Sequence, residues 1–334
     1  MKHEFYTLSR YLFLKIEREY AKIVGKSGVT LPQLRILWII SAFPGANSSL
    51  ISKIGCWTPP TVSRMITILL EKKLISRDIS KHKSKGIHLT DQGIEIIQAN
   101  KQSYGSAFPL LKLLGVSRED ELDCLIGIYR YTVLESRNAY IMDYIDRINE
   151  LSLKIDYATF PDADQPKLKN LVALYNLLRV FVLSVENAHS ILLKELDLTY
   201  PQMRALMVIR AYRGITSSHL AEIALWSPSS ANLVVKNLLA KDLIYKNKGT
   251  VKNSLHIYTT RKGEKLLDID SEENENKIGT LNLLDNVPSY KLGELNRFLH
   301  GLNESVNNHM VVDFIDRCLY PVKKLQQPVY QGLR

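Results

Sequence analysis

TLPQLRILWIISAFPGANSSLISKIGCWTPPTVSRMITILLEKKLI (Thr30–Ile75) and TYPQMRALMVIRAYRGITSSHLAEIALWSPSSANLVVKNLLAKDLI (Thr199–Ile244) are one passage written twice. Offset by 169 positions, they align without a gap over 46 residues. Eighteen are identical, including Pro32/Pro201, Gln33/Gln202, Arg35/Arg204, Gly45/Gly214, Trp57/Trp226 and Pro59/Pro228. The register runs backwards through Tyr6/Tyr175, Leu8/Leu177, Arg10/Arg179, Leu14/Leu183 and Glu17/Glu186. Forwards, with one extra residue in the second copy, Thr90 and Gly93 of LTDQG meet Thr260 and Gly263 of TTRKG. Chance gives only a few identities at a fixed offset, so the chain contains an internal duplication.

The duplication sets the expected domains: repeat 1 over 1–155, a linker over 156–166 with two prolines, repeat 2 over 167–320, and a tail over 321–334. The 334 residues are 46% hydrophobic and 23% charged, which suits packed cores and excludes a disordered chain. No stretch reads as an uncharged apolar span of the ~18–20 residues a bilayer requires, and the N-terminus does not read as a secretory signal. Cys56, Cys124 and Cys318 are too scattered for a disulfide framework or zinc site, as expected in a reducing cytoplasm. The net charge of +10 points to a polyanionic partner, although solubility alone could account for it.

Within one copy, apolar residues at 5, 8, 12, 16, 20 and 23 predict a first helix. A second opens at Thr30, with Pro32 in its first turn, and stops at Phe43-Pro44-Gly45. Leu34, Leu37, Trp38 and Ile40 mark its buried face. Ser48 and Ser49 start a short third helix through Ile54. Thr58 caps a fourth, with Val62, Met65, Ile66, Leu69 and Leu70 as its buried stripe, and Ser227-Pro228 repeats that opening. Leu74–Ile79 and Ile87–Leu89 then read as strands around a basic turn, as do Leu243–Asn247 and Leu255–Tyr258. Long helical tracts close each copy, Asp91–Leu114 and Glu119–Asn149 in the first, Lys262–Leu284 and Tyr290–Leu319 in the second. The fold class is therefore mainly α with small β-hairpin wings: two tandem winged helix-turn-helix repeats on a shared helical body.

TPPTVSRMITILLEKKLISR, the basic hairpin after it and LTDQG resemble the recognition helix, wing and following helix of the MarR family of bacterial regulators. The tandem arrangement resembles the two-repeat members of the staphylococcal accessory regulator group. MarR proteins usually act as homodimers on near-palindromic DNA. The resemblance therefore implies a one-chain pseudo-dimer, with one recognition helix for each half-site of an imperfect palindrome. It also raises a small-molecule effector of unknown identity.

The charge distribution separates this reading from general solubility. Thr30–Gly93 holds nine Lys and Arg against three acidic residues, a net of +6; Thr199–Gly263 holds ten against two, a net of +8. The other 205 residues therefore sum to −4. Charge gathered on two units suits phosphate contact, which releases condensed counterions. On the fourth helix, Thr61, Ser63, Arg64 and Thr67 are expected to face outward, with Arg64 shaped for guanine O6 and N7. The second copy offers Ser230, Asn232, Lys236 and Asn237, with Leu233 where the first has Arg64. The two surfaces are not equivalent, so the preferred site should be asymmetric. Lys81, His82, Lys83 and Lys85 on one wing and Lys248, Lys252 and Asn253 on the other are expected to meet the phosphate backbone. Neither wing has the Asp-x-Arg pair common in MarR wings.

Some residues are read structurally. Trp57 and Trp226 suit packing under the recognition-helix start. Cys56, matched by Leu225, suits a small buried apolar place. Arg35 and Arg204 either contact the DNA backbone or form internal ion pairs, and the internal reading is preferred. The histidines show no ligand spacing, and no nucleotide-binding glycine loop, HExxH or GxSxG is present. The expectation is a cytoplasmic DNA-binding regulator with no enzymatic activity, cofactor, metal or membrane, monomeric as a pseudo-dimer although further dimerisation stays open. The competing readings are a plasmid-type replication initiator with tandem winged helices and an interaction module with one DNA-binding-deficient repeat.

Overall fold

The computed structural model describes residues 1–77, 86–107, 119–135, 139–152, 165–248, 255–274, 279–308 and 310–318. Its helices are α1 (Lys2–Val24), α2 (Leu31–Ala42), α3 (Ser48–Gly55), α4 (Pro59–Glu71), α5 (Asp91–Ala107), α6 (Glu119–Glu135), α7 (Ala139–Ser152) and α8 (Gln165–Leu192). They continue with α9 (Tyr200–Ala211), α10 (Ser217–Ala224), α11 (Pro228–Ala240), α12 (Arg261–Asn274), α13 (Gly279–Asn282), α14 (Ser289–Ser305) and α15 (Met310–Cys318). Two antiparallel hairpins join them: β1 (Ile75–Arg77) with β2 (Ile87–Leu89), and β3 (Ile244–Lys248) with β4 (Leu255–Thr259).

The chain divides into two compact units, Phe13–Leu183 and Met1–Leu12 with Ser184–Arg334. These do not coincide with the sequence repeats. α1 gives its first turns to the second unit and the rest to the first; α8 gives residues up to Leu183 to the first unit and its last turns to the second. Each unit thus holds the helix-turn-helix of one repeat together with first-helix residues of the other.

In the first unit, the capping box on α2 forms as its sequence directs. The Thr30 hydroxyl accepts from the Gln33 amide, and the Gln33 side chain accepts from the Thr30 amide. α2 is buried almost all round, Gln33 and Arg35 included, rather than on the single face expected from Leu34, Leu37, Trp38 and Ile40. Asn47 caps α3. Thr58 departs from expectation: its hydroxyl pairs with that of Thr61 at 2.9 Å and caps no backbone amide. α4 buries Val62, Ile66 and Leu69, while Met65 and Leu70 are half-buried. The hairpin pairs Ile75 with Leu89 and Arg77 with Ile87, and Ala46 bridges to Ile87.

The second unit repeats this chemistry around α9, α10 and α11. Thr199 and Gln202 form a capping box, Thr216 caps α10, and the Ser227 hydroxyl accepts from the Ser230 amide at 3.1 Å. Ile215 bridges to Ile257. Left-handed backbone recurs at the repeat spacing: Gly45/Gly214, Cys56/Leu225 and Lys73/Asp242 all have positive φ. Each pair marks a turn that both copies require.

The Thr-x-x-Gly after each wing has a physical reason. The Thr90 amide donates to the Leu74 carbonyl, its hydroxyl donates to the Lys73 carbonyl, and the hydroxyl also accepts from the Gly93 amide. Thr260 does the same with Leu243, Asp242 and Gly263. That tie presses the next helix onto the strand, and a Cβ on Gly93 or Gly263 would lie 2.1 or 2.3 Å from the Leu74 or Leu243 carbonyl oxygen.

One feature differs from the sequence expectation. Asn170–Leu192 of α8 is long and apolar enough to cross a membrane, with a mean hydropathy of 1.4, although Arg179 and Glu186 interrupt it. Sixty-one per cent of that window is buried inside the protein, as in the core helix of a folded domain.

Gly93→Ala is expected to lower stability by about 1–3 kcal/mol, because the new methyl must displace backbone. Gly127→Ala, at an exposed position of α6 with nothing within 4 Å of the new methyl, is expected to raise it by about 0.5–1 kcal/mol. Urea titration of the two variants measures both, and equal midpoints would contradict the carbonyl contact.

Candidate nucleic-acid interface

The exposed side of α4 carries Thr61, Ser63, Arg64 and Thr67, opposite the buried Val62, Ile66 and Leu69. Arg64 makes no ion pair or hydrogen bond among the described residues, so its guanidinium is available. Ser63 also has a free hydroxyl by the same test. The hydroxyls of Thr61 and Thr67 are partly committed: Thr61 pairs with Thr58, and Thr67 donates to the Ser63 carbonyl at 3.1 Å. On α11 the exposed positions are Ser229, Ser230, Asn232, Leu233, Lys236 and Asn237, opposite Ala231, Val235 and Leu238. Ser230 bonds to Ser227 at 2.8 Å, while Asn232, Lys236 and Asn237 have no partner among the described residues.

Of the wing residues, Lys248 is exposed at the end of β3. Lys81, His82, Lys83, Lys85, Lys252 and Asn253 lie outside the described residues. Sequence reasoning missed two strand residues, Arg77 on β1 and Lys246 on β3, both exposed and one repeat apart. Their shared register was the signal that could have found them.

Not all of the basic excess is free. Lys72 donates to the Gly28 carbonyl at 2.5 Å, and Lys241 donates to the Asp197 carbonyl and pairs with its carboxylate at 3.0 Å. Arg210 pairs with Asp268 at 3.1 Å. Lys53 lies over the Tyr140 ring.

Arg35 and Arg204 are buried, and neither is presented to a ligand surface. In the first unit, Arg35 Nη2 reaches Glu17 Oε1 and Tyr175 Oη, each at 2.5 Å, and Tyr175 also donates to Glu17. Burial opposes the Arg35 charge, but Tyr175 and Glu17 outweigh it and hold the guanidinium pKa above its ordinary value. Arg179 of α8 has no carboxylate in this cluster. It lies 5.4 Å over the Trp57 ring and donates to the Gly55 carbonyl, at the turn that leads into α4. Burial and the neighbouring Arg35 charge push its pKa down.

The second unit uses homologous residues differently. Arg10 pairs with Glu186 at 2.6 Å, and Tyr6 and Tyr200 share a hydrogen bond at 2.5 Å. Arg204 lies over the rings of Tyr11 and Phe314, at 4.8 and 5.4 Å, with Nε and Nη2 making no hydrogen bond. Here Tyr11, not an arginine, ties the helix before the turn, donating to the Ile223 carbonyl at 2.8 Å.

Burial pushes the Cys56 thiol up from its ordinary value and that of Cys318 up to about 12, which keeps both protonated and weak as nucleophiles. Among the described residues, no three His, Cys, Asp or Glu side chains gather where a metal ion could be held.

Helix, short helix, a tight left-handed turn, a third helix with a polar outer face and a two-stranded hairpin define a winged helix-turn-helix. The family model of the MarR family matches residues 29–82, which span α2, α3, α4 and β1. The chain is 28% identical over 154 residues to the HTH-type transcriptional regulator Hpr of Halalkalibacterium halodurans, covering 43% of this chain and 76% of that protein. To Hpr of Geobacillus thermodenitrificans it is 27% identical over 150 residues, covering 42% and 70%. Among solved structures, the transcriptional regulator SlyA is similar over 40% of this chain and 93% of its own, at 22% identity and a TM-score of 0.36. A MarR family regulator from Listeria monocytogenes, solved with a 26mer DNA, is similar over 46% and 95%, at 24% identity and a TM-score of 0.35.

Removing one partner of a buried charge pair leaves the other uncompensated. Glu17→Ala is therefore expected to lower stability by about 3–5 kcal/mol. Glu19→Ala, which breaks the surface pairs with Lys22 and Lys15, should change it by less than about 1 kcal/mol. Thermal unfolding of the two variants distinguishes these outcomes; comparable losses would refute the role given to the Arg35 cluster.

Proposed function

We propose that the chain is a bacterial transcriptional regulator that binds double-stranded DNA as a one-chain pseudo-dimer. Repeat 1 (1–155) and repeat 2 (167–320), joined by a linker (156–166) and followed by a tail (321–334), each supply one winged helix. α4 reads one half-site of an imperfect palindrome through Thr61, Ser63, Arg64 and Thr67. α11 reads the other through Ser230, Asn232, Lys236 and Asn237. The wings, with Lys81, His82, Lys83, Lys85, Lys248, Lys252 and Asn253, lie along the phosphates, and Arg77 and Lys246 join them. No catalytic step or cofactor is invoked, and the site of action is the cytoplasm.

The observation that carries this reading is the uncommitted outer face of α4. Arg64 stands exposed there, with Ser63 beside it, while buried charges such as Arg35 are paired internally. A guanidinium held out on a helix that fits the major groove can bind guanine O6 and N7 together. A second reading, in which the second winged helix has lost DNA binding and serves as an interaction module, draws on exposed Leu233 in place of Arg64.

Selection of bound sequences from genomic DNA with the purified full chain tests the proposal, and no enriched site would overturn it. On the selected site, Arg64→Ala is expected to weaken binding by about 1–3 kcal/mol and to relax preference at one base pair. Lys236→Ala should weaken all sequences similarly and reduce the slope of log affinity against log salt by about 1. If Lys236→Ala with Asn237→Ala changed neither affinity nor slope, while Arg64→Ala abolished binding, only one winged helix would be engaged.

A further inference from the structure

Leu233 is 60% exposed on the outer face of α11. Its helical neighbours three and four residues away, Ser229, Ser230, Lys236 and Asn237, are exposed as well, and Asn232 stands beside it. The helix buries Ala231, Val235 and Leu238 on the other side, so Leu233 has no place in the core. A single exposed leucine says little, because apolar residues are common on protein surfaces. The register gives this one weight. One repeat earlier the same position is Arg64, exposed on the recognition helix of the first unit. The wing strands of the second unit add exposed Tyr245 and Leu255, both 48% exposed; the counterpart of Tyr245 in the first unit is the polar Ser76.

In the major groove, an apolar side chain flanked by a lysine and amides has one matching feature on the bases, the C5-methyl group of thymine. Placed over a guanine or cytosine edge, a leucine would cover hydrogen-bonding groups without pairing them, which is unfavourable. We propose that Leu233 is the specificity-determining residue of the second recognition helix and packs against a thymine methyl in the second half-site. This rests on the DNA-binding reading above and deepens it. The two halves of the site then differ in kind, a guanine bound by the Arg64 fork and a thymine recognised by its methyl.

The test uses the purified full chain and the site it selects. Arg64→Ala first assigns the half-sites, since it relaxes preference in only one. Thymines in the other half are then replaced singly by deoxyuridine, which removes the methyl and leaves every hydrogen bond intact. At one position the replacement is expected to weaken binding roughly fourfold, the effect of one buried methyl group. Leu233→Ala, which alters an exposed residue and leaves the core untouched, should weaken binding to the thymine site. It should also abolish the response to deoxyuridine. A deoxyuridine penalty that persists undiminished in Leu233→Ala overturns the proposal. So does unchanged affinity of Leu233→Ala for the thymine site, which would leave the regulator reading intact. Selection that enriches no sequence removes the regulator reading itself, a different result from either.

Discussion

In each unit, two guanidinium groups are buried and, among the described residues, only one of them pairs with a carboxylate. A charge removed from water requires a counter-charge or dense hydrogen bonding. In the first unit Glu17 serves Arg35, so Arg179 turns to the Gly55 carbonyl and the face of Trp57. In the second unit Glu186 serves Arg10, and Arg204 is left to the rings of Tyr11 and Phe314. Each cluster draws members from both sequence repeats: Tyr175 and Arg179 of α8 in the first unit, Arg10 and Tyr11 of α1 in the second. First-helix residues of one repeat thus supply hydrogen-bonding and ring partners to the other.

The same clusters reach the proposed reading surface. The carbonyls held by Arg179 and Tyr11 belong to Gly55 and Ile223, at the ends of α3 and α10. One residue after Gly55 and two after Ile223, the chain enters the left-handed turns at Cys56 and Leu225, which lead on to α4 and α11. A side chain of α8 or α1 therefore bonds to the last turn of the short helix that precedes α4 or α11. Because one unit uses a guanidinium and the other a phenol, a perturbation of the body would act unequally on the two helices. Two polar ties with different chemistry give the molecule an asymmetry that its repeated sequence conceals.

The local structure was legible in the sequence wherever a residue acts on its own neighbours. Thr30 announced the N-cap of α2 and Ser227-Pro228 the start of α11, whereas the Gln33 half of the capping box and the close approach at Gly93 came only with the structure. Boundaries of α2, α4 and both hairpins fall within a few residues of expectation for that reason. What stayed hidden depends on partners far along the chain. Periodicity says that α1 and α8 have apolar stripes but not what covers them. The burial of Arg35 on all sides of α2 could not be distinguished from an outward-facing arginine without Glu17 and Tyr175 in view. The local bonds that occupy the Thr61 and Thr67 hydroxyls depend on rotamers, about which spacing is silent.

A comparison inside the chain separates what folding demands from what it leaves free. On the buried side of the third helix, Val62, Ile66 and Leu69 correspond to Ala231, Val235 and Leu238, all apolar. On the exposed side, Ser63, Arg64 and Thr67 correspond to Asn232, Leu233 and Lys236. There the changes reverse charge placement and hydrogen-bonding capacity, position by position. Solubility alone would accept any polar residue and gives no reason to place a leucine in the middle of such a face. Two different halves of one DNA site do give a reason. The buried positions specify the scaffold twice, and the outer positions give each copy its own surface to present.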